Sequence, residues 1–391
     1  MKKCVLAYSG GLDTSYCVKY LTKELGLEVY SVLVNVGGFT PEELIEVEEK
    51  ALQLGVTKHT VIEATDEYYQ NIVRYLLYGN VLKNSTYPLS VSAERVYQAL
   101  SIAGFAKKIQ ADYIAHGSTG AGNDQVRFDV VFQLKCPEIK ILTPIRDQKL
   151  SRLEEIEYLR NNGFDLSWEQ AKYSINKGLW GTTVGGAETL TSDQPLPENA
   201  WPIQVTKNEA QDLTLTFTKG ELTHIDEVKY SQIDAIKKLS DLAGPFGIGR
   251  DTHVGDTIIG IKGRVGFEAP APLIAIKAHH LLEKHVLGKW QLHWKQQLGD
   301  WYGMMLHEAQ YLDPVMRNIE SFLEATQANV TGDVFIRLHP YRFELLGIQS
   351  QFDLMQTKSG QYGEMNEGWS GDDVKGFTRI LANSMNQKIE V

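Results

Sequence analysis

Glycines and short polar residues are concentrated in two segments of this sequence. The first, residues 7–15, reads AYSGGLDTS and directly follows an apolar run that begins at Cys4. Its glycines let the main chain approach a ligand, and hydroxyl and main-chain N–H groups at the start of a helix suit a phosphate anion. Asp13 suits a polyphosphate only if a cation lies between them, so we expect Mg²⁺ at this carboxylate. The segment therefore predicts a nucleotide site with a metal.

The second segment, residues 116–128, reads HGSTGAGNDQVRF and also follows a buried apolar run. If both runs are strands of one parallel sheet, the two segments lie at the same sheet edge and share a ligand. Thr119, Asn123 and Asp124 offer short polar groups that suit the amine and carboxylate of an amino acid. Arg127 offers a bidentate fork for an anionic or carbonyl group. The sequence thus predicts an amino-acid site beside the nucleotide site.

The two commonest nucleotide fingerprints are missing from the sequence. It contains no G-x-x-x-x-G-K-[ST], and the first strand–helix turn lacks G-x-G-x-x-G. Kinase-type γ-phosphate transfer and dinucleotide binding therefore lose support. Cys4, Cys17 and Cys136 form no C-x-x-C pair and fit no zinc-ligand spacing, so we expect neither a disulfide framework nor a structural metal.

Apolar runs alternate with helix-period segments over residues 1–150, which is typical of an α/β domain with a parallel sheet. Residues 29–36 read as a strand, Pro41 opens a helix, residues 91–110 read as a long helix and residues 139–142 as a further strand. Ligands of such domains bind beyond the carboxyl ends of the strands. Both polar segments fall at such ends.

The pattern changes after Leu166. A loop-rich stretch with many glycines and prolines runs to Pro202, and residues 213–217 then alternate apolar and polar side chains. This texture predicts a second domain of the α+β class. We therefore divide the chain into domains 1–165 and 166–365.

Residues 366–391 read as a terminal amphipathic helix. Behind an Asp372-Asp373 cap, one helical stripe carries the apolar side chains of Val374, Phe377, Ile380, Leu381 and Met385. Such a stripe needs a surface to pack on. A surface of its own chain and a surface of a neighbouring subunit both remain open on this reasoning.

The composition is that of an acidic globular protein. Its 49 acidic and 39 basic residues leave a formal charge of −10, and 43% of the residues are hydrophobic. We therefore expect a folded chain with no broad nucleic-acid surface. No signal-peptide pattern and no run of about 18 uncharged apolar residues is visible. We expect a cytoplasmic protein with no membrane partner.

The first polar segment resembles the pyrophosphate loop of the N-type ATP pyrophosphatases. Together the two segments resemble the argininosuccinate synthase family, whose second motif commonly reads HG-x-TGKGNDQVRF, and the similarity extends to Tyr87, Ser92, Ser174 and residues 247–250 and 262–268. The resemblance implies ligation of citrulline to aspartate through a citrullyl adenylate, with release of AMP and pyrophosphate. It further implies a nucleotide-binding domain of the pyrophosphatase kind, a synthetase domain, and a C-terminal oligomerisation helix that joins a homotetramer.

The resemblance also implies a role for each matching residue. ATP would be bound by Ala7, Tyr8, Ser9, Gly10, Gly11, Leu12, Asp13, Thr14, Ser15, Val34 and Gly117. Aspartate would be bound by Thr119, Asn123 and Asp124. Citrulline would be bound by Tyr87, Ser92, Asn123, Arg127, Ser174 and Thr183. The catalytic residues would be Asp13, Ser15, Asp124 and Arg127, with Asp13 as the Mg²⁺ ligand.

Several positions depart from the usual pattern of that family. Ala121 stands where the family commonly has Lys, Asn176 where it has Asp, Gly255 where it has Glu, and Phe267 where it has Tyr. The amino-acid end of the citrulline site has thereby lost negative charge. Two substrates remain open: free citrulline with Asp256 in place of the lost carboxylate, or an N-acylated citrulline such as N-succinylcitrulline.

Two other classes of protein remain to be considered. One is a tRNA-modifying ligase with the same pyrophosphatase loop, and the other is a non-catalytic nucleotide-binding regulator with the same α/β architecture. A tRNA-modifying ligase would need a sulfur-relay cysteine pair or a basic RNA surface, and the sequence shows neither. A nucleotide sensor without catalytic activity would not need the second polar segment. Pyrophosphate release would distinguish such a sensor from a ligase.

Overall fold

The computed structural model describes residues 1–164, 172–357, 360, 362–364 and 367–386. Its first part is built on a parallel sheet of strand order β3-β2-β1-β4-β5. The strands are β1 (Lys3–Ala7), β2 (Glu28–Asn35), β3 (Lys58–Glu63), β4 (Tyr113–Ala115) and β5 (Lys140–Leu142). The predicted α/β domain with a parallel sheet is confirmed.

Helices cover both faces of this sheet. They are α1 (Leu12–Lys23), α2 (Pro41–Leu54), α3 (Thr65–Tyr68), α4 (Arg74–Tyr78), α5 (Ser90–Lys108), α6 (Asp124–Lys135), α7 (Pro144–Gln148) and α8 (Arg152–Asn161). Successive side chains of β1 point to opposite faces, so Val5 packs with α5 and α6, whereas Leu6 packs with α1, α2 and α8. Pro41 opens α2 as predicted, and Thr40 caps it.

The strand order places the two polar segments side by side. β1 is the central strand and pairs with both β2 and β4. The chain leaves β1 into the first polar segment and leaves β4 into the second, so both segments lie at the carboxyl edge of the sheet. Their predicted proximity is confirmed.

The second part holds two antiparallel sheets. One has the strand order β11-β12-β7-β6 and the other β10-β9-β8-β13-β14. The strands are β6 (Ser174–Gly178), β7 (Gly181–Gly185), β8 (Gln211–Thr218), β9 (Glu221–Ile225), β10 (Val228–Lys229), β11 (Arg250–Asp256), β12 (Lys262–Glu268), β13 (Gly332–His339) and β14 (Arg342–Gln349). The helices are α9 (Gln232–Ala243), α10 (Pro270–Val286), α11 (Lys289–His307) and α12 (Pro314–Thr326). The α+β class predicted for this part is confirmed.

The stretch that we interpreted as loop-rich contains the hairpin β6–β7, so that interpretation was wrong for residues 174–185. Its glycines suggested loops, but Gly178 and Gly181 form the end of a tight hairpin. Gly181 has φ +117°, and a Cβ there would lie 2.8 Å from the Cβ of Ala269. Glycine is needed at this position for close packing as well as for the turn.

The terminal helix α13 (Gly371–Met385) is exposed along its whole length, including its apolar stripe. Ser370 caps this helix in a capping box with Asp373, so the predicted Asp-Asp cap was wrong in detail. The predicted domain boundaries at 165/166 and 365/366 fall outside the described residues and remain predictions.

Two further features concern the whole described chain. The thiols of Cys4, Cys17 and Cys136 are free and buried. Among the described residues, no helix is both long enough and apolar enough to span a membrane.

Candidate active site

A cavity of about 1050 Å³ lies between the carboxyl edge of the parallel sheet and the β11-β12-β7-β6 sheet. The structure brings to its wall every residue that the sequence predicted to bind a substrate, except Gly10 and Ser15. Residues from both parts of the chain therefore surround one space. This volume is large enough for a ligand of nucleotide size or larger.

The first polar segment is held in shape by its own hydrogen bonds and by α2. Gly10 adopts φ +77°, and its carbonyl accepts a hydrogen bond of 2.6 Å from Lys50 Nζ. The Gly11 carbonyl accepts 2.7 Å from the buried Ser15 hydroxyl. No side chain caps the N-terminus of α1. Its first N–H groups, with the helix dipole behind them, are arranged as in sites that bind anions.

Asp13 lies at this helix start and is paired with a carboxyl that the sequence did not flag. Its side chain shares a hydrogen bond with Glu155 of α8, while Arg152 contributes positive charge nearby. Burial raises the pKa of both carboxyls, and the Asp13 charge helps to raise that of Glu155 to about 8. In the absence of a cation, one of the two carboxyls therefore carries a proton at neutral pH.

The described residues contain no group of three or more His, Cys, Asp or Glu side chains placed to hold a metal ion. A metal cage made by these side chains alone is therefore not found among them. Asp13 faces the cavity at the phosphate-type loop. A single carboxylate beside phosphate oxygens is a donor set that suits Mg²⁺, which commonly retains water and is shared with a nucleotide.

The second polar segment is fixed at its start and in its middle. His116 is buried, its Nε2 lies 3.0 Å from Asp129 Oδ1, and its Nδ1 accepts a hydrogen bond from the Ser118 main chain. Gln125 Nε2 donates to the carbonyls of Gly120 and Gly122 at 2.7 and 3.1 Å. The loop is therefore pre-organised without a ligand.

Asp124 is the centre of a charged network at the cavity. Its Oδ1 accepts from Arg127 Nη1 at 2.9 Å, and its Oδ2 accepts from Arg95 Nε at 3.1 Å. Burial alone would raise the pKa of Asp124, but the Arg95 and Arg127 guanidinium groups hold it below its usual value. Asp124 therefore stays ionised at neutral pH.

Arg95 joins this network to the second part of the chain. Its Nη2 donates to Asn176 Oδ1 in β6 at 3.1 Å, and its Nη1 donates to Glu94 Oε1 at 2.8 Å. The other oxygen of Glu94 is buried without a partner next to Gly178, where an added Cβ would approach it to 2.2 Å. Burial raises the pKa of Glu94 to about 7 despite the adjacent arginine.

One part of the cavity wall, which we call its aromatic end, is formed by the rings of Tyr87 and His253. Tyr87 stacks on His253 with ring centroids 5.0 Å apart and contacts Phe267 at 5.2 Å. Asp256 also borders the cavity, but its side chain is exposed and pairs with Lys262 at 2.6 Å. Lys262 therefore balances the negative charge of the Asp256 carboxylate beside these rings.

The site residues that sequence reasoning missed include Glu94, Arg95, Arg152, Glu155 and His253. Arg95 lies three residues beyond Ser92 on the same face of α5, so helical spacing was a usable signal for it. Glu155 and His253 come from elements remote in sequence. Their place is set by how α8 packs on α1 and how β11 pairs with β12.

Comparison with known proteins gives the family. The model of the arginosuccinate synthase N-terminal HUP domain matches residues 3–165, and that of the arginosuccinate synthase C-terminal domain matches residues 173–389. The chain is 37% identical to the argininosuccinate synthase of Methanocaldococcus jannaschii, over 92% of this chain and 91% of that protein. It is 34% identical to that of Dictyoglomus turgidum, over 97% and 96%, and 34% identical to that of Xanthomonas axonopodis pv. citri, over 98% and 93%. The chain belongs to the argininosuccinate synthase family.

Proposed function

We propose that this protein joins citrulline to aspartate and cleaves ATP to AMP and pyrophosphate, so that it acts in arginine biosynthesis. Membership of the family supports the reaction as a whole. The structural observation that carries the proposal is the single cavity on which the phosphate-type loop, the Asp124 network and the Tyr87 end all open. Three substrates that react with one another need such a shared space.

Two displacements make up the proposed reaction. The ureido oxygen of citrulline attacks the α-phosphorus of ATP. The bond between the α-phosphorus and the oxygen that bridges it to the β-phosphorus breaks, and pyrophosphate leaves. The aspartate amine then attacks the ureido carbon of the citrullyl adenylate, and AMP leaves with the bonding electrons of the carbon–oxygen bond. The amine loses its proton in this step. Neither displacement needs a nucleophilic side chain, which agrees with the burial of the three thiols.

The chain's own residues would contribute position and charge. The N–H groups at the start of α1 would hold the phosphates, with Val34 and Gly117 near the rest of the nucleotide. Thr119, Asn123 and ionised Asp124 would hold aspartate. Alignment of this kind supplies on the order of 7–11 kcal/mol of a barrier, and charge stabilisation supplies several more.

Asp13 is the residue that would bind Mg²⁺ together with the phosphates. The ion would supply positive charge to the pyrophosphate as it leaves. Arg152 supplies positive charge beside the same carboxyl. In the free protein, the proton shared with Glu155 limits the repulsion between the two carboxyls.

The finer features of the family extend the proposal. We assign the domains to residues 1–165, 166–365 and 366–391, place the protein in the cytoplasm, and expect a homotetramer joined by α13. The exposed apolar stripe of α13 supports the last point. The relatives are named for argininosuccinate and give no support to an N-acylated citrulline, so free citrulline is the proposed substrate.

The proposal is tested by pyrophosphate release from ATP, citrulline and aspartate. Release should require citrulline and ATP, and AMP and argininosuccinate should form in equal amounts only when aspartate is added. Cleavage of ATP to ADP, or pyrophosphate release that is independent of citrulline, would contradict it. A mixture without protein and the Asp13→Asn variant serve as controls.

A further inference from the structure

His253 occupies the aromatic end of the cavity and takes no part in the reaction proposed above. It lies in β11 and is 7% exposed, and its ring stacks on Tyr87 at an interplanar angle of 26°. The ring of Tyr87 also contacts Phe267, with ring centroids 5.2 Å apart. The imidazole is therefore a fixed part of the cavity wall.

The turn that carries Tyr87 is joined to the strand that carries His253. Lys83 and Tyr87 exchange main-chain hydrogen bonds of 2.8 and 3.0 Å, which close the turn. Asn84 Nδ2 then donates to the Val254 carbonyl at 3.0 Å, so the turn is attached to β11. Because this hydrogen bond joins the turn that carries Tyr87 to the strand that carries His253, the two rings are already stacked before a ligand enters.

The imidazole fills the space beside Gly255. A Cβ at position 255 would lie only 2.6 Å from His253 Nε2 and 3.3 Å from Asn84 Nδ2. A residue with a side chain at position 255 would clash with the His253 ring where it now lies. The glycine is thus what lets the imidazole reach this part of the wall.

The ring retains unused hydrogen-bonding capacity. Its Nδ1 is buried and has no partner. Burial and the nearby Lys83 lower the pKa of His253 to about 4, so the ring is neutral at neutral pH and offers one donor and one acceptor. Buried polar atoms are nearly always satisfied in the functional state, which indicates a partner that arrives with the ligand.

From this placement, and resting on the proposed function, we propose that His253 is a specificity-determining binding residue that hydrogen-bonds the amino-acid end of the citrulline substrate. The imidazole takes the place that a carboxylate would need in order to face that end, while the Asp256 carboxylate is engaged with Lys262. The protein therefore recognises the amino-acid end of citrulline through a hydrogen bond from the neutral imidazole and not through an ion pair with a carboxylate.

Two substitutions separate the hydrogen bond from the packing of the ring. His253→Phe keeps an aromatic ring on Tyr87 and removes both nitrogens, whereas His253→Gln keeps a donor and an acceptor. Val254→Ala is the matched control, because this neighbouring side chain is half-exposed and points to the other side of the strand. Pyrophosphate release gives KM for each substrate and kcat, and thermal unfolding gives Tm.

We expect His253→Phe to raise KM for citrulline by about 5- to 50-fold, with KM for ATP and aspartate within about twofold of wild type. His253→Gln should recover part of this loss, and Val254→Ala should lose nothing. A His253→Phe variant with wild-type Tm and wild-type KM for citrulline overturns the inference.

A second variant keeps the inference testable if His253→Phe is unstable. Gly255→Ala displaces the ring while leaving both of its nitrogens in the protein, and should raise KM for citrulline selectively in the same way. An unchanged KM for citrulline in this variant overturns the inference. Wild-type protein that releases no pyrophosphate with citrulline and aspartate overturns the proposed function as well, whereas active wild type with indifferent variants overturns this inference alone.

Discussion

Arg127 is fastened to the main-chain carbonyl of His307, which accepts hydrogen bonds of 3.3 Å from Nε and 3.1 Å from Nη2. The third bond of the same guanidinium, from Nη1, goes to Asp124. The fork therefore connects α6 to the end of α11 and still has N–H groups to offer a substrate. Its position depends on a planar group with several donors.

A lysine at position 127 cannot reproduce this fork. We expect Arg127→Lys to lower kcat/KM for citrulline by about 30-fold or more, because Asp124 and the His307 carbonyl lose partners while the charge is kept. Steady-state kinetics with each substrate varied in turn measures the effect. Arg342→Lys, at an exposed side chain of β14, is the control. A loss confined to KM for ATP would contradict the assignment of Arg127 to citrulline.

Asp13→Asn should lower kcat for pyrophosphate release by about 10²- to 10³-fold with little change in Tm. The amide cannot offer Mg²⁺ a charged oxygen, and the charge that develops on the leaving pyrophosphate is then less well stabilised. Asp241→Asn, on the surface of α9, should change neither quantity. Full turnover of Asp13→Asn would remove Asp13 from the catalytic set.

Gly117 packs against the main chain of the first polar segment, and a Cβ there would lie 3.2 Å from the Asp13 carbonyl carbon. Gly117→Ala should therefore displace the phosphate-type loop and lower kcat/KM for ATP by about tenfold or more. Gly104 lies in α5 with nothing within 4 Å of an added Cβ. Gly104→Ala should leave kinetics unchanged and stabilise the fold by about 0.5–1 kcal/mol in urea unfolding. Equal kinetics for the two variants would contradict the prediction.

Glu94 should give the protein an unusual pH dependence. Its pKa is about 7 in the folded protein and near 4.5 when unfolded, so the folded state holds a proton that the unfolded state has lost between these values. Its contribution to the free energy of unfolding therefore falls as pH rises from about 4.5 to 7, by on the order of 3 kcal/mol. Glu94→Gln, which does not titrate, should gain stability relative to wild type from pH 5 to pH 8.

Urea unfolding of wild type and variant at several pH values checks this sign. Glu227→Gln, an exposed side chain, should keep a constant difference from wild type. A Glu94→Gln variant whose relative stability is flat over this range would show that Glu94 is ionised in the fold.

Truncation before Asp372 should release smaller species from the expected tetramer. The stripe that includes Phe377, Ile380 and Leu381 is exposed in the single chain and needs a partner surface. Light scattering of full-length and truncated protein measures the mass. Truncated protein of unchanged mass would place the contacts between subunits elsewhere.

The parts of the fold that local sequence determines were predictable. Pro41, the alternation around β1 and the polar residues after β1 and β4 each act within a few residues of chain. Parallel pairing then brings both polar segments to one edge, since β1 lies between β2 and β4. The residues of the two polar segments reach the cavity by this rule, whereas Val34, Tyr87, Ser92, Ser174 and Thr183 were predicted from the family resemblance.

What remained unpredicted depends on contacts between remote elements. Glu155 reads as a surface residue of α8 until that helix packs on α1, and His253 reads as one residue of an ordinary strand until Tyr87 stacks on it. The hairpin β6–β7 was hidden because glycines that serve close packing resemble glycines that serve loops. No local pattern separates these cases.

Because all three thiols are buried, the native cysteines should react little with thiol-directed labels. Burial raises the pKa of Cys4, Cys17 and Cys136, so little thiolate is available to a maleimide at neutral pH. A single cysteine introduced on the side of α13 opposite the apolar stripe, as in Arg379→Cys, should therefore react alone. A fluorophore there would report subunit exchange without any native cysteine having to be removed.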